Sequence, residues 1–173
     1  MTAFKTLEPS QLSREAFVAA FTDIYEHSPW VAERAFDQNA AQAQLSDDIE
    51  SLHARMSQVL LQAEPAEQLA LINAHPDLAG KAAIQGELTA ASTGEQAGAG
   101  IHLCTPAEFA RFTDLNDRYK ARFHFPFIMA VKGSDRHQIL AAFEQRIEHS
   151  AEAEFACALS EINKIALFRL QAL

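Results

Sequence analysis

The sequence predicts an all-α fold, a single compact multi-helix domain covering residues 1–173. Apolar residues recur at three- and four-residue spacing through most of the chain, which is the pattern of helices with one buried face. Polar and apolar residues alternate over no more than a few positions, and strand-like and helix-like segments do not alternate. A chain of 173 residues can bury a hydrophobic core without disulfide or metal staples.

Helices in the first half of the chain begin at recognisable capping residues. Ser13 precedes an apolar pattern with helical spacing, and a short helix is expected from Trp30. Residues 46–48 provide an acidic, capped start for the helix with the most regular apolar spacing. Pro65 suits the first position of the next helix, which should end before Pro76 because the residue preceding proline disfavours the α region.

The second half continues this pattern around one apolar segment that lacks a helical period. Residues 105–108 (TPAE) fit a capping box and open a helix that is expected to end near Arg122. Residues 123–134 are apolar, aperiodic and interrupted by proline, which predicts a buried extended loop. Ser134 and Ser150 are the predicted N-caps of the last two helices.

Composition and charge exclude several classes of function. A net charge of −9 with 14 Lys and Arg, and no cationic cluster, argues against nucleic-acid binding, and the apolar runs are too short for a membrane span. Cys104 and Cys157 form no disulfide framework or zinc signature, so no metal is expected. The segment GEQAGAG lacks the spacing of a phosphate loop. Without a signal core or a Ser-Lys-Leu tail, the chain is expected in the cytoplasm.

Three residues are candidates for chemistry: His75, Glu95 and Arg169. A histidine at a predicted helix end can transfer protons, or it can only complement the helix dipole. Glu95 can supply a negative charge to a site. Residues 92–95 also fit a capping box, in which Glu95 reaches back to the Ser92 N–H. Arg169 falls on the apolar face of the last helix. There a guanidinium needs planar acceptors from a carboxylate or a ligand, unless it snorkels to solvent.

Five ordered segments resemble the 2-oxo-4-hydroxy-4-carboxy-5-ureidoimidazoline (OHCU) decarboxylases of urate degradation. They are YEHSPWVAERA at 25–35, LINAHPDLAG at 71–80, STGEQAGAG at 92–100, LNDRYKARFHFPFIMAVKG at 115–133 and ALSEINKIALFRL at 158–170. The resemblance implies an all-helical homodimeric enzyme that needs no cofactor and converts OHCU, its small-molecule substrate, to (S)-allantoin. One departure is His124, where the family usually has a small residue.

The resemblance also implies roles for individual residues. His75 is similar to the family's catalytic proton donor, and we expect Glu95 to hold its ring. The backbone of residues 127–131 matches the segment that lines the ligand, and Arg169 is similar in position to a substrate-binding arginine. The full substrate-binding set is Pro76, Ser92, Thr93, Gly94, Glu95, Gln96, Phe127, Ile128, Met129, Ala130, Val131 and Arg169.

Two other functions remain open at this point. His-Pro-Asp at 75–77 is also the signature of J-domain co-chaperones of Hsp70. Docking of that kind needs a basic helix before the motif, whereas Arg55 is the only Lys or Arg among residues 46–74. The second alternative is a helical binding protein that keeps the pocket without turnover.

Overall fold

Local capping signals set where the helices begin. The computed structural model describes residues 2–38, 45–80 and 88–173. Within these residues, eight α-helices are α1 Arg14–Phe21, α2 Trp30–Asp37, α3 Ile49–Gln62, α4 Pro65–Ala74, α5 Ala90–Gly98, α6 Pro106–Phe123, α7 Arg136–Arg146 and α8 Ala151–Ala172. Short 3-10 turns lie at Pro9–Gln11 and Ile101–Leu103. The same ranges contain one isolated bridge, Ala3 to Asp48, and no β-strand, so the predicted all-α class is confirmed.

Most of the predicted N-caps are confirmed by their hydrogen bonds. Ser13, Asp48 and Ser150 each accept a hydrogen bond from the backbone N–H three residues later. Thr105 and Glu108 form a reciprocal capping box at the start of α6. Because these side chains satisfy N–H groups that have no partner inside the helix, they determine where each helix starts. Helices α2 and α4 also begin where predicted.

Two of the predicted caps are wrong. Helix α7 is capped by Asp135 rather than Ser134, because the Asp135 carboxylate accepts from two N–H groups and Gln138 completes a capping box. Helix α5 is capped by Thr89, whose hydroxyl accepts from the N–H three residues later. The predicted box at Ser92–Glu95 therefore does not form, since these residues lie inside the helix.

The chain divides into two compact units. The first comprises Met1–Ala74 with Ile162–Leu173, and the second comprises His75–Glu161. The expectation of a single domain over residues 1–173 stays a prediction. Among the helices that the structure describes, none combines the length and apolar character needed to cross a bilayer.

The first unit is built on phenylalanine rings and one buried tyrosine. The Phe17 ring centroid lies 4.7 Å from that of Phe21 and 5.4 Å from that of Phe36. The buried Tyr25 hydroxyl donates to Asn163 Oδ1 at 2.8 Å. Burial raises the pKa of Tyr25, so this hydroxyl stays protonated and ties the YEHSPW segment to α8.

The second unit is centred on Tyr119. Four phenylalanine rings have their centroids 4.5 to 6.0 Å from the centroid of the Tyr119 ring. They are Phe123, Phe125, Phe127 and Phe143. The cluster packs α6 and α7 against residues 124–135, which contain no helix or strand. The predicted extended loop is therefore confirmed, and its residues 125–128 are buried. Helix α6 ends at Phe123, one residue beyond the expected end at Arg122.

His124 ends α6 in a left-handed conformation. Its φ is 63° and its ψ is 23°, and its N–H donates to the Lys120 carbonyl at 2.9 Å. Such a C-cap favours glycine, because a Cβ is strained there. This geometry gives a physical reason for a small residue before the FPF segment.

Replacement of His124 by glycine is expected to stabilise the protein by about 1 kcal/mol, because glycine relieves the left-handed strain. The His124 side chain is exposed, so little packing is lost. Thermal unfolding of His124→Gly measures the effect. Ala121→Gly is the matched control on an exposed position inside the same helix, where glycine should destabilise by about 1 kcal/mol. Equal losses in both variants would contradict the strain argument.

Candidate active site

His75 directly follows α4 and is buried. Pro76 stops the helix, because proline disfavours the α region for the residue before it. The predicted helix end is therefore confirmed. The His75 residue is 8% exposed, so its ring lies against protein rather than in bulk water. A histidine that only complemented the helix dipole would not need this burial.

Residues 75–80, the HPD loop, have a strained backbone. Ala79 has a φ of 52°, a left-handed conformation that side chains other than glycine rarely adopt. At Gly80 an added Cβ would lie 2.7 Å from the Asp77 Cβ, so only glycine fits without a shift. This shape needs support from surrounding residues.

Side chains from α5 and α6 hold the HPD loop. Gln96 Oε1 accepts from the Ala79 N–H at 3.1 Å, and Gln96 Nε2 donates to the Asp77 carbonyl at 3.3 Å. Asn116 Nδ2 donates to the Leu78 carbonyl at 2.8 Å. These hydrogen bonds satisfy backbone groups that no regular secondary structure serves.

Helix α5 presents the predicted Ser92–Gln96 stretch on two faces. Ser92 and Gln96, one turn apart, are buried. Glu95 is partly exposed, and Thr93 and Gly94 are exposed. Since the helix cap is Thr89, capping does not explain the presence of Glu95.

The predicted ligand-lining segment, residues 127–131, is braced by charged side chains. The Arg146 guanidinium lies 4.4 Å from the Phe127 ring centroid, and its Nη1 donates to the Ile128 carbonyl at 2.6 Å. The Ala130 N–H donates to Glu161 Oε2 at 2.8 Å. Two backbone groups of the segment are thus already committed to protein partners.

Arg146 is itself held by a buried carboxylate. Glu154 is fully buried and accepts from Arg146 Nε and Nη2, from the Tyr119 hydroxyl and from His149 Nδ1. Burial alone would raise the pKa of Glu154, but these hydrogen bonds outweigh it and the pKa is lowered. Burial and the neighbouring carboxylate raise the pKa of Tyr119, so Tyr119 stays a donor. The result is a charged, hydrogen-bonded network that contacts residues 127–131 through Arg146.

The sequence prediction missed this network. Arg146 lies three residues after the buried Phe143, and Glu154 lies four residues before the buried Ala158. Both are therefore charges on apolar helix faces, the same signal that singled out Arg169.

Arg169 lies in the first unit and is buried. Its Nη1 donates to Glu26 Oε2 at 2.9 Å and to the Asp23 carbonyl at 3.2 Å. The side chain is 8% exposed, so the snorkelling interpretation is wrong. The expected carboxylate acceptor is present as Glu26, which is also buried.

The structure places every predicted site residue except Arg169 in the second unit. Helix α6 supports two parts of that set, because Asn116 bonds the HPD loop and the Tyr119 ring lies 5.5 Å from the Phe127 ring. The described residues hold no group of three or more His, Cys, Asp or Glu placed to bind a metal ion.

Comparison with known proteins assigns the family. Residues 10–171 match the family model described as OHCU decarboxylase. The chain belongs to the OHCU decarboxylase family. It is 41% identical over 173 residues to the 2-oxo-4-hydroxy-4-carboxy-5-ureidoimidazoline decarboxylase of Halalkalicoccus jeotgali, covering 100% of this chain and 93% of that protein. The protein of the same name from Haloferax volcanii is 40% identical over 161 residues, or 93% of this chain and 90% of the relative.

A solved structure extends the likeness of this OHCU decarboxylase family member to three dimensions. The crystal structure of (S)-allantoin synthase superimposes with a TM-score of 0.73 at 30% sequence identity. The match covers 95% of this chain and 52% of the other, so this chain spans about half of that protein. The family assignment over 10–171 leaves the J-domain alternative without support.

Proposed function

We propose that this protein is a carboxy-lyase that converts OHCU to (S)-allantoin in urate degradation, without a cofactor. The observation that carries the proposal is the family match over residues 10–171. The buried His75 on a braced loop, in the same unit as residues 92–96 and 127–131, is consistent with it.

The reaction needs a proton and an oriented substrate. When the carbon–carbon bond to the carboxylate breaks and CO₂ leaves, the electron pair passes into the adjacent imine of the ring. The substrate is thus its own electron sink. One proton must then be added to the neighbouring carbon, the former imine carbon that carries the ureido group and becomes the stereocentre of allantoin. The hydroxyl on the carbon that lost CO₂ gives up its proton and becomes a carbonyl, and the imine nitrogen takes up a proton. We propose that His75 delivers the proton to one face of the former imine carbon, which sets the (S) configuration, and that Glu95 orients and stabilises its ring.

Substrate binding is proposed for Pro76, the Ser92–Gln96 stretch, the 127–131 backbone and Arg169. Because Ile128 O and Ala130 N–H already bond to Arg146 and Glu161, the substrate is expected to meet other backbone groups of that segment. Both ends of the Gln96 amide hold the HPD loop, so its contribution to the substrate is limited to one remaining Nε2 hydrogen and one remaining lone pair of Oε1.

The test is an enantioselective assay with freshly made substrate. Uricase and hydroxyisourate hydrolase generate OHCU in the cuvette, and circular dichroism follows the sign and rate of allantoin formation. Added protein is expected to give (S)-allantoin faster than the spontaneous reaction, which yields a racemate. Racemic product at the spontaneous rate would overturn the proposal and favour the non-catalytic binding protein.

Glu95→Gln is expected to lower turnover by roughly 10²-fold or more, because it removes the charge that stabilises a protonated His75. The melting temperature should stay within about 2 °C, since Glu95 is partly exposed and belongs to no capping box. Turnover and thermal unfolding are measured side by side, with the exposed Glu152→Gln as control. Full activity together with a lowered melting temperature would assign Glu95 a structural role only.

Arg169→Lys is expected to weaken allantoin binding by about 10- to 100-fold, because an ammonium cannot reproduce the planar donor fork. A lysine can still pair with Glu26, so the variant should fold. Direct titration with (S)-allantoin measures binding without chemistry, and Arg111→Lys on an exposed pair is the control. Unchanged affinity and kinetics would limit Arg169 to its ion pair within the first unit.

We also propose a homodimer in the cytoplasm, as the family resemblance implies. The two free cysteines, Cys104 and Cys157, are compatible with a reducing compartment. Light scattering after gel filtration should give the mass of two 19.1 kDa chains, and a single-chain mass would contradict the dimer. Cell fractionation tests the location.

A further inference from the structure

We propose that Asn116 is a positioning residue for His75, acting through the HPD loop. This inference depends on the proposed function in one respect: its activity measurements assume that the protein forms (S)-allantoin. Asn116 lies in the middle of α6, is 4% exposed and reaches the Leu78 carbonyl, 38 positions earlier in the chain. It neither caps a helix nor belongs to the predicted substrate-binding set.

The HPD loop needs such a brace because its own backbone holds it weakly, with a long hydrogen bond of 3.4 Å from the Gly80 N–H to the Asp77 carbonyl. Ala79 adopts a left-handed φ of 52°, which is strained for a residue with a Cβ. The Leu78 carbonyl precedes this strained residue and accepts from Asn116 at 2.8 Å. Without that hydrogen bond, the peptide between Leu78 and Ala79 keeps the bond from the Ala79 N–H to Gln96 Oε1 but loses the anchor of its carbonyl, so it can tilt toward a relaxed conformation. The buried His75 lies three residues before Leu78 in the same loop, so its ring would move with this peptide.

An asparagine at position 116 contributes little to the stability of the fold. Its Oδ1 is buried and, among the described residues, has no hydrogen-bond partner. An unsatisfied buried acceptor lowers stability by an amount comparable to one hydrogen bond, which cancels much of the gain from the Nδ2 hydrogen bond. A leucine of similar shape would remove this unsatisfied acceptor but would deprive the Leu78 carbonyl of the Nδ2 donor, so the two effects on stability largely offset each other. The net contribution of Asn116 to stability is therefore small, and its specific effect is the position of the loop.

Lys120 provides a matched comparison on the same helix. One turn after Asn116, its Nζ lies 2.6 Å from Asp77 Oδ2. This pair holds the side chain of Asp77 rather than the loop backbone, and the Lys120 side chain is 42% exposed. Exposed ion pairs contribute little to stability. Removing Lys120 should therefore leave the loop backbone in place.

The experiment compares Asn116→Leu with Lys120→Met. The imidazole signals of His75 in ¹H–¹⁵N spectra are expected to shift or broaden in Asn116→Leu and to stay as in the wild type in Lys120→Met. In the enantioselective assay, Asn116→Leu should lose about 10- to 100-fold in kcat with little change in KM, and its product should contain more (R)-allantoin. The melting temperature should change little in either variant.

The outcomes separate the positioning role from a structural one. If His75 signals, kcat and enantiomeric purity are unchanged in Asn116→Leu, the proposal is overturned. A lower melting temperature with unchanged kcat per folded molecule also overturns it, because Asn116 then only stabilises the fold. If the wild type itself produces no (S)-allantoin, the proposed function fails, while the His75 spectra still decide whether Asn116 positions the ring.

Discussion

His75→Asn is expected to lower kcat for (S)-allantoin formation by about 10²- to 10⁴-fold, the usual contribution of general acid–base catalysis. Asparagine keeps a hydrogen-bonding group of similar reach but cannot donate a proton at neutral pH. Since the HPD loop is held by Gln96 and Asn116, the variant should keep the loop conformation and the fold. The residual product should approach a racemate, because protonation then comes from water on either face.

The measurement pairs the circular dichroism assay with thermal unfolding of the same samples. His102→Asn, at an exposed histidine outside the proposed site, controls for general effects of the substitution and should keep the wild-type rate. Near-normal formation of (S)-allantoin by folded His75→Asn would remove His75 from the role of proton donor.

Glu154→Ala is expected to destabilise the protein by about 3–5 kcal/mol, because it leaves the buried Arg146 guanidinium without its counter-charge. Glu154 is fully buried and also accepts from Tyr119 and His149, so several hydrogen bonds are lost together. For a chain of this length, such a change lowers the melting temperature by roughly 6–20 °C. Residues 127–131 should loosen as well, because Arg146 holds the Ile128 carbonyl.

Urea unfolding at pH 7 measures this effect at its full size. The pKa of Glu154 is lowered in the folded protein, so its contribution is present above the unfolded value near 4.5 and is lost as the pH falls through the folded value. Glu144→Ala on α7 is the matched control, because Glu144 pairs with Arg111 at the surface and should cost about 0–1 kcal/mol. A loss below about 1 kcal/mol for Glu154→Ala would show that the pair does not support the fold.

The positions of most helices could be predicted from the sequence, because capping is a local interaction. Ser13, Asp48 and the Thr105–Glu108 box act on N–H groups two or three residues away, so short motifs predict their positions. Proline restricts its own neighbour, which placed His75 at a helix end. The two wrong caps arose where polar residues one to three positions apart offer similar local motifs, and the choice between Ser134 and Asp135 depends on how the whole first turn is satisfied.

The support of the candidate site depends on contacts that exist only in the folded chain. The contact of Asn116 with Leu78 joins residues 38 positions apart, and no periodicity in the sequence records such a pairing. The left-handed conformation of Ala79 could not be predicted from the sequence either, because a strained residue persists only where side chains from other helices hold its peptide. Charged residues on apolar helix faces, such as Glu154, can be recognised in the sequence because they interrupt the helical spacing of apolar residues. Their partners depend on which helices pack together, because a buried charge is stable only beside the counter-charge that packing brings to it.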